Sequence, residues 1–322
     1  MIGQLKAMTL TRRLRDRCLA LAQFMLLACL AGQAYAAEIA FSFDDAPRGD
    51  TQHFNGPERA QALLAGLAAG GVDGAIFFCI GGNVDEEGRE RLLAYQAAGH
   101  FIANHSQAHR HPAELGLQGW IADFRQADAV LSELPGFLPL YRFPYLDEGR
   151  DLAMRDGLRA ALAAQGYRNG YVTMDNYDWY MDSLLQKALA AGRTVDYARL
   201  GKVYVSVVAD AADFYESLAQ RVLGRSPRHM LLLHENDLAA LYIADLAAEL
   251  RRRGWTIIPG PLAYEDPIAE QTPDTLFNGQ GRIAALAEVQ GVPRPDLVNV
   301  AEDEAWLEAR FEAEGVFGPV PE

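Results

Sequence analysis

Two short stretches of this 322-residue sequence gather side chains that could do chemistry in company. Ser42-Phe43-Asp44-Asp45-Ala46-Pro47 sets two adjacent carboxylates after an apolar run and before a proline turn. Adjacent carboxylates repel, so near a buried strand end the pair needs a cation or a shared proton. Read alone, Asp-Asp before a turn is also an ordinary cap for the next helix. Asn104-His105-Ser106-Gln107-Ala108-His109-Arg110-His111-Pro112 places three of the seven histidines within seven residues. If the chain turns helical at His105, the imidazoles of His105 and His109 share one helix face and can grip one ion. With one aspartate they form a two-histidine, one-carboxylate set with open positions, which suits a catalytic metal carrying water. A solvated polar cluster is the bland alternative, and a non-haem iron oxygenase uses similar ligands.

Three further stretches end apolar runs in polar groups. Tyr141-Arg142-Phe143-Pro144-Tyr145 offers an arginine able to hold a carboxylate through a bidentate contact, or to make an ordinary salt bridge. Leu231-Leu232-Leu233-His234-Glu235 offers a histidine able to act as general acid, or a satisfied polar cap. Between them, Asp175-Asn176-Tyr177-Asp178-Trp179-Tyr180 interleaves acids with aromatics, as a sugar site or an amphipathic core edge does.

The elements that must position these groups follow from periodicity. Strand-length apolar runs recur at Ile39 to Phe43, Ala75 to Cys79, Phe101 to Asn104, Leu138 to Phe143, Gly170 to Met174, Met230 to His234 and Trp255 to Ile258. Helical spacing of apolar residues marks Ala60 to Ala69, Glu87 to Ala98, Trp120 to Leu134, Leu152 to Gln165 and Leu238 to Arg253. Strand and helix alternating about seven times predicts an α/β fold built on a parallel sheet. A (β/α) barrel of about seven parallel strands is expected, because the polar groups fall at the carboxyl ends of the strands. Residues 182–224 read as a helical insertion, and 265–322 as a C-terminal extension packed on the barrel.

The N-terminus carries Lys6, Arg12, Arg13, Arg15 and Arg17, an apolar stretch, and the small-x-small site Ala34-Tyr35-Ala36, the pattern of a signal peptide over residues 1–36. Export to the periplasm or medium is therefore expected, with lipidation at Cys29 as the competing reading. No later apolar run is long enough to span a membrane. Cleavage removes five basic residues and one acid from totals of 29 and 43, leaving a net charge of −18 and disfavouring nucleic acid as a partner. Only Cys79 of the three cysteines then remains, inside an apolar run, so no internal disulfide is expected and a buried, inert thiol is.

The five polar stretches, in this order, resemble the polysaccharide deacetylase family, also called the NodB homology domain or carbohydrate esterase family 4. The resemblance spans roughly Ile39 to Pro259, assigns residues 37–264 to the catalytic domain and implies a distorted (β/α) barrel. It implies Asp44 as general base, Asp45, His105 and His109 as metal ligands, and Arg142 as the partner of Asp44. It further implies the Tyr145 N–H as an oxyanion donor, Asp178 as the residue orienting the acid His234, and Trp179 and Leu232 as the pocket for the acetyl methyl. The expected cofactor is one divalent ion, zinc first, with cobalt, nickel, manganese or iron as alternatives, and the expected substrate an acetylated carbohydrate. A small non-carbohydrate amide or formamide as substrate, or a catalytically inactive carbohydrate-binding protein, are the rival readings.

The chain departs from the family pattern in four places. Ala46 stands where the family has Gly, and Pro112 follows His111 instead of His109, which leaves His111 open as a ligand. Leu146-Asp147-Glu148-Gly149 displaces a glycine, and Glu235 and Asp237 add acids beside His234. The last two departures are expected to alter substrate choice.

Overall fold

The computed structural model describes residues 36–321, so the signal peptide and Cys29 lie outside the described residues. Seven parallel strands form the sheet: β1 (Glu38–Ala46), β2 (Ile76–Cys79), β3 (Phe101–Asn104), β4 (Phe137–Tyr141), β5 (Arg168–Asn169), β6 (Arg228–His234) and β7 (Thr256–Ile257). Their order is β5-β4-β3-β2-β1-β6, with β7 paired to the start of β1. β1 is buried along almost its whole length, which explains its run of apolar residues without strict alternation: helices cover one face and the barrel interior the other.

The fifth strand differs from expectation. Pairing with β4 stops at Asn169, and Gly170 to Met174 instead crosses the seam of the barrel. The Gly170 N–H donates to Tyr141 O (2.7 Å), whereas the Thr173 N–H donates to Met230 O (3.0 Å) and Leu232 N–H to Met174 O (3.0 Å). A segment that divides its hydrogen bonds between β4 and β6 closes the barrel without being a regular strand of either. Glycine is required at its start, because a Cβ at position 170 would lie 2.4 Å from the Phe78 ring.

Helices α1 (Gly56–Ala69), α2 (Glu86–Ala97), α3 (Pro112–Leu131), α4 (Leu152–Ala164) and α7 (Asp237–Arg252) occupy the segments predicted from periodicity. Each starts one to eight residues earlier than its apolar pattern, or level with it, because side-chain caps, or for α3 the proline at its first position, set the start. Asn55 and Glu58, for example, form a reciprocal capping box on α1. The segment after β5 holds α5 (Asp178–Ala190) and α6 (Tyr197–Leu223), and the final residues hold α8 (Gly260–Ala263), α9 (Gly281–Val289) and α10 (Glu304–Ala313). Val203, Val207 and Tyr215 of α6, Ile283 of α9 and Leu307 of α10 join the same buried cluster as Phe41 and Phe77 of the barrel. Cys79 is free and buried within it, where burial pushes its thiol pKa well up. Among the described residues no helix is long and apolar enough to cross a membrane.

Candidate metal and catalytic site

Parallel register brings the polar strand ends to one rim. Asp44 of β1 lies opposite His234 of β6, and Asn104 of β3 opposite Tyr141 of β4. The loops leaving β1, β3, β4 and β6 therefore open into one cleft of about 460 Å³, lined by Asp44, Asp45, His105, His109 and His234 among others.

One oxygen of Asp45 is the centre of the arrangement. Asp45 Oδ1 lies 3.3 Å from His109 Nε2 and 3.6 Å from His105 Nε2, yet it is sealed from solvent and makes no hydrogen bond. His105 Nδ1 sits 2.9 Å from the Arg142 carbonyl, which can only accept, so Nδ1 carries the proton and the Nε2 lone pair faces the carboxylates. Burial lowers the pKa of both imidazoles to about 4, so both are neutral. The His105 Nε2 lone pair facing a buried carboxylate oxygen that no hydrogen bond satisfies is repelled by it unless a cation lies between them. The ligand atoms of Asp45, His105 and His109 all fall within 4.8 Å of one another, so the residues fit a divalent ion.

The histidines reach this arrangement by a different route from the predicted one. Residues 105–111 are a loop, and α3 starts only at Pro112. The ring of Pro112 disfavours helical backbone at His111, which ends any helix running in from His105. Instead, Ser106 and His109 adopt positive φ (75° and 49°), folding the loop so that the two imidazoles meet at 4.9 Å. The Ser106 N–H donates to Asn104 Oδ1, the His109 N–H to Ser106 Oγ, and the Gln107 N–H to Asp123 Oδ2, which holds the turn. His111 points elsewhere: its Nδ1 lies 2.9 Å from Asp147 Oδ2 and its ring stacks on Tyr145. At Asp45 the backbone itself takes φ 68°, so the positive φ falls before Ala46, and Ala46 needs no glycine.

Asp44 and His234 flank the triad with opposite tendencies. Burial pushes the Asp44 carboxyl up to about 6 against the pull of Arg142, whose Nη1 donates to Asp44 Oδ1 at 2.5 Å. Arg142 is fully buried and held on every side. Its Nη1 also donates to Ser42 Oγ, its Nε to Gly170 O and its Nη2 to Tyr264 Oη, while the guanidinium lies 3.7 Å over the Phe78 ring. Burial disfavours the His234 imidazolium, but the carboxylate of Asp178 overrides it and raises the pKa to about 9. The His234 Nδ1–H donates to Asp178 Oδ1 (2.6 Å), and the His234 backbone N–H donates to Asp178 Oδ2 (2.9 Å). Asn236 also donates to Asp178 Oδ2 while capping α7 through Ala239 N–H, so one residue ties the helix start to the carboxylate.

Tyr145 has φ 57° and places its N–H without an acceptor among the described residues, while its half-exposed side chain, with Trp179 and Leu232, lines the cleft. The structure thus brings together Asp44, Asp45, His105, His109, Arg142, Tyr145, Asp178, Trp179, Leu232 and His234. Sequence reasoning missed Ser42, Tyr264, Asn176 and Asn236, which hold Arg142 and Asp178 in place. Asn236 carried a readable signal, an Asn immediately before an amphipathic run; Tyr264 carried none. Glu235 and Asp237 do not face the cleft, contrary to expectation. Glu235 accepts from Tyr95 Oη and the Arg48 N–H, and Asp237 from Arg59, Thr51 and Gln186, so both are buried anchors of the loop after β1.

Residues 32–170 match the family model described as polysaccharide deacetylase. Over those residues the chain is similar to polysaccharide deacetylases. The distorted barrel is the fold expected from the NodB homology resemblance. Among solved structures, the chain is similar to a family 4 carbohydrate esterase from Streptomyces lividans, with 22% identity over 69% of this chain and 91% of that one and a TM-score of 0.47. It is similar to a peptidoglycan deacetylase from Bacillus subtilis at 18% identity, 72% and 91% coverage and a TM-score of 0.48. The chitin deacetylase from Colletotrichum lindemuthianum gives 19%, 70%, 86% and 0.49. No curated protein matches the sequence.

Proposed function

We propose that this chain removes acetyl groups, N- or O-linked, from a carbohydrate outside the cytoplasm, using one divalent ion, zinc first among candidates, held by Asp45, His105 and His109. The observation that carries the reading is the orphaned Asp45 Oδ1 facing two neutral imidazoles, with Asp44 and His234 on either side of it. The ion supplies a polarised acyl carbonyl and a water acidified to near neutral pH.

Each residue then has a task that its surroundings support. Asp44, held by Arg142, accepts the water's proton at a carboxylate oxygen as general base; a pKa near 6 suits a base working at neutral pH. The Tyr145 N–H donates to the oxygen that gains charge as the carbonyl carbon becomes tetrahedral. His234, kept protonated by Asp178, gives its Nε2 proton to the departing amine or alcohol. Leu232 and Trp179 enclose the methyl group and exclude water from it. Export through residues 1–36, with 37–264 as the catalytic domain and 265–322 as its extension, belongs to the same reading; an exported enzyme meets cell-envelope or environmental glycans.

The test is acetate release from a panel of N-acetylglucosamine oligomers, peptidoglycan and O-acetylated xylan. Release from at least one, lost on chelation, supports the reading. Release from none by protein holding stoichiometric metal overturns the carbohydrate assignment.

A further inference from the structure

A second cleft, of about 400 Å³, lies beside α4, β5 and the residues after α8, and shares no lining residue with the catalytic cleft. Arg159, Arg168 and Arg282 line it against Glu148 and Glu270, three positive charges to two negative, in a chain that is strongly acidic overall. Glu148 is already committed: it accepts from both Arg159 and Asn169.

Arg282 is the unusual member. It is 93% buried, yet among the described residues no carboxylate pairs with it. Its Nη1 donates to Ile268 O and Ala269 O, and its guanidinium lies 3.8 Å over the Tyr171 ring, which fixes the plane of the group. The Nε and Nη2 N–H groups have no protein acceptor, and neither is sealed from solvent. Those two form the side-on fork that matches a carboxylate in a bidentate contact. Burying a cation without a counter-ion is costly, so a preformed fork held this way is shaped for an anion.

We propose that this cleft binds a ligand carrying one carboxylate on a sugar-sized body, with the carboxylate on the Nε/Nη2 edge of Arg282. The single surplus positive charge matches a monoanion better than a phosphate dianion. Phe143 and Tyr264 back the remaining walls, and the partly exposed Tyr167 supplies a ring against which the apolar face of a pyranose can lie.

The probe is sodium glucuronate, with glucose and inorganic phosphate as controls, titrated into the zinc-loaded protein while the Arg282 Nε–H resonance is followed by NMR. Saturable movement of that resonance with glucuronate, and neither control, is the expected result. Arg282→Gln and Arg282→Lys are each expected to weaken binding by about tenfold or more, since lysine keeps the charge but loses the fork. If those variants fail to fold, Arg168→Gln on the exposed rim should still weaken binding by about twofold to threefold through charge alone. Binding that disappears in Asp45→Asn but survives in Arg282→Gln would put the carboxylate in the catalytic cleft and overturn the proposal. Phosphate binding in preference to glucuronate, or no saturable binding of any probe, would overturn it too.

Discussion

Replacing Asp178 with Asn isolates the electrostatic part of the proposed acid catalyst. The Asp178 carboxylate is buried and makes three contacts in the His234 loop, one to Nδ1, one to the His234 backbone N–H and one to Asn236. Asn keeps the shape and removes the charge. In the metal-free protein His234 has a pKa raised from 6.5 to about 9; with Asp178 neutral the largest raising influence is gone, and burial of the ring pulls the pKa down against the weaker attraction of Asp45 and Asp44. A full return to the ordinary 6.5 sets the upper limit: at pH 8 the protonated fraction would fall from roughly nine-tenths to about 3%, a loss of about 30-fold in the competent acid, corresponding to about 3 kcal/mol. Because the folded pKa lies above the unfolded one, that stabilisation is complete below pH 6.5 and disappears as pH rises through about 9. Following the His234 ring nitrogens by NMR over pH 5 to 10 in metal-free protein checks the values directly. Urea melts at pH 6 and 9.5 check the linkage: wild type should lose a few kcal/mol across the interval and Asp178→Asn very little. A His234 pKa that stays near 9 in Asp178→Asn would refute the reasoning, since the charge credited with holding the proton would be gone.

Three other outcomes follow from the same geometry. Asp44→Asn should lower turnover by about 10²- to 10⁴-fold while the bound metal, measured by elemental analysis, remains at one per chain, because Asp44 is assigned to the proton and Asp45 to the ion. His109→Ala should abolish metal retention in the same assay, whereas His111→Ala, which loses only a contact to Asp147 and stacking on Tyr145, should retain it. The pH profile of kcat/KM should be bell-shaped, rising through a limb at or below about 6 as Asp44 ionises and falling through a limb at or below about 9 as His234 loses its proton. A divalent cation in the cleft favours the carboxylate and opposes the imidazolium, so it moves both limbs down from their metal-free positions.

Much of the barrel was readable because its strands are buried on both faces and its helices are amphipathic, so burial writes both periods into the sequence. The long-range closure was not readable: Gly170 to Met174 looks like a strand by composition, but its hydrogen bonds are shared between two partners far apart in the chain. His105 and His109 were found by spacing for a reason the structure does not bear out, since a loop with two positive-φ residues, not a helix, brings them together. Pro112 was the available sign, because proline opens helices and excludes helical backbone before it. The groups that hold Arg142 illustrate the limit further. Ser42 is local to Asp44, but Tyr264 lies 122 residues from Arg142 and reaches it only through the packing of α8 under the barrel.

The central claim, a single-metal deacetylase centre with the ion held by Asp45, His105 and His109, is tested most directly by titrating zinc into chelator-stripped protein while recording the initial rate of acetate release from an acetylated glycan substrate. The rate should start near zero, climb linearly to one equivalent of zinc and then stay level, with Asp45→Asn flat throughout. Full activity in the stripped protein, or a plateau reached equally by Asp45→Asn, would contradict the account.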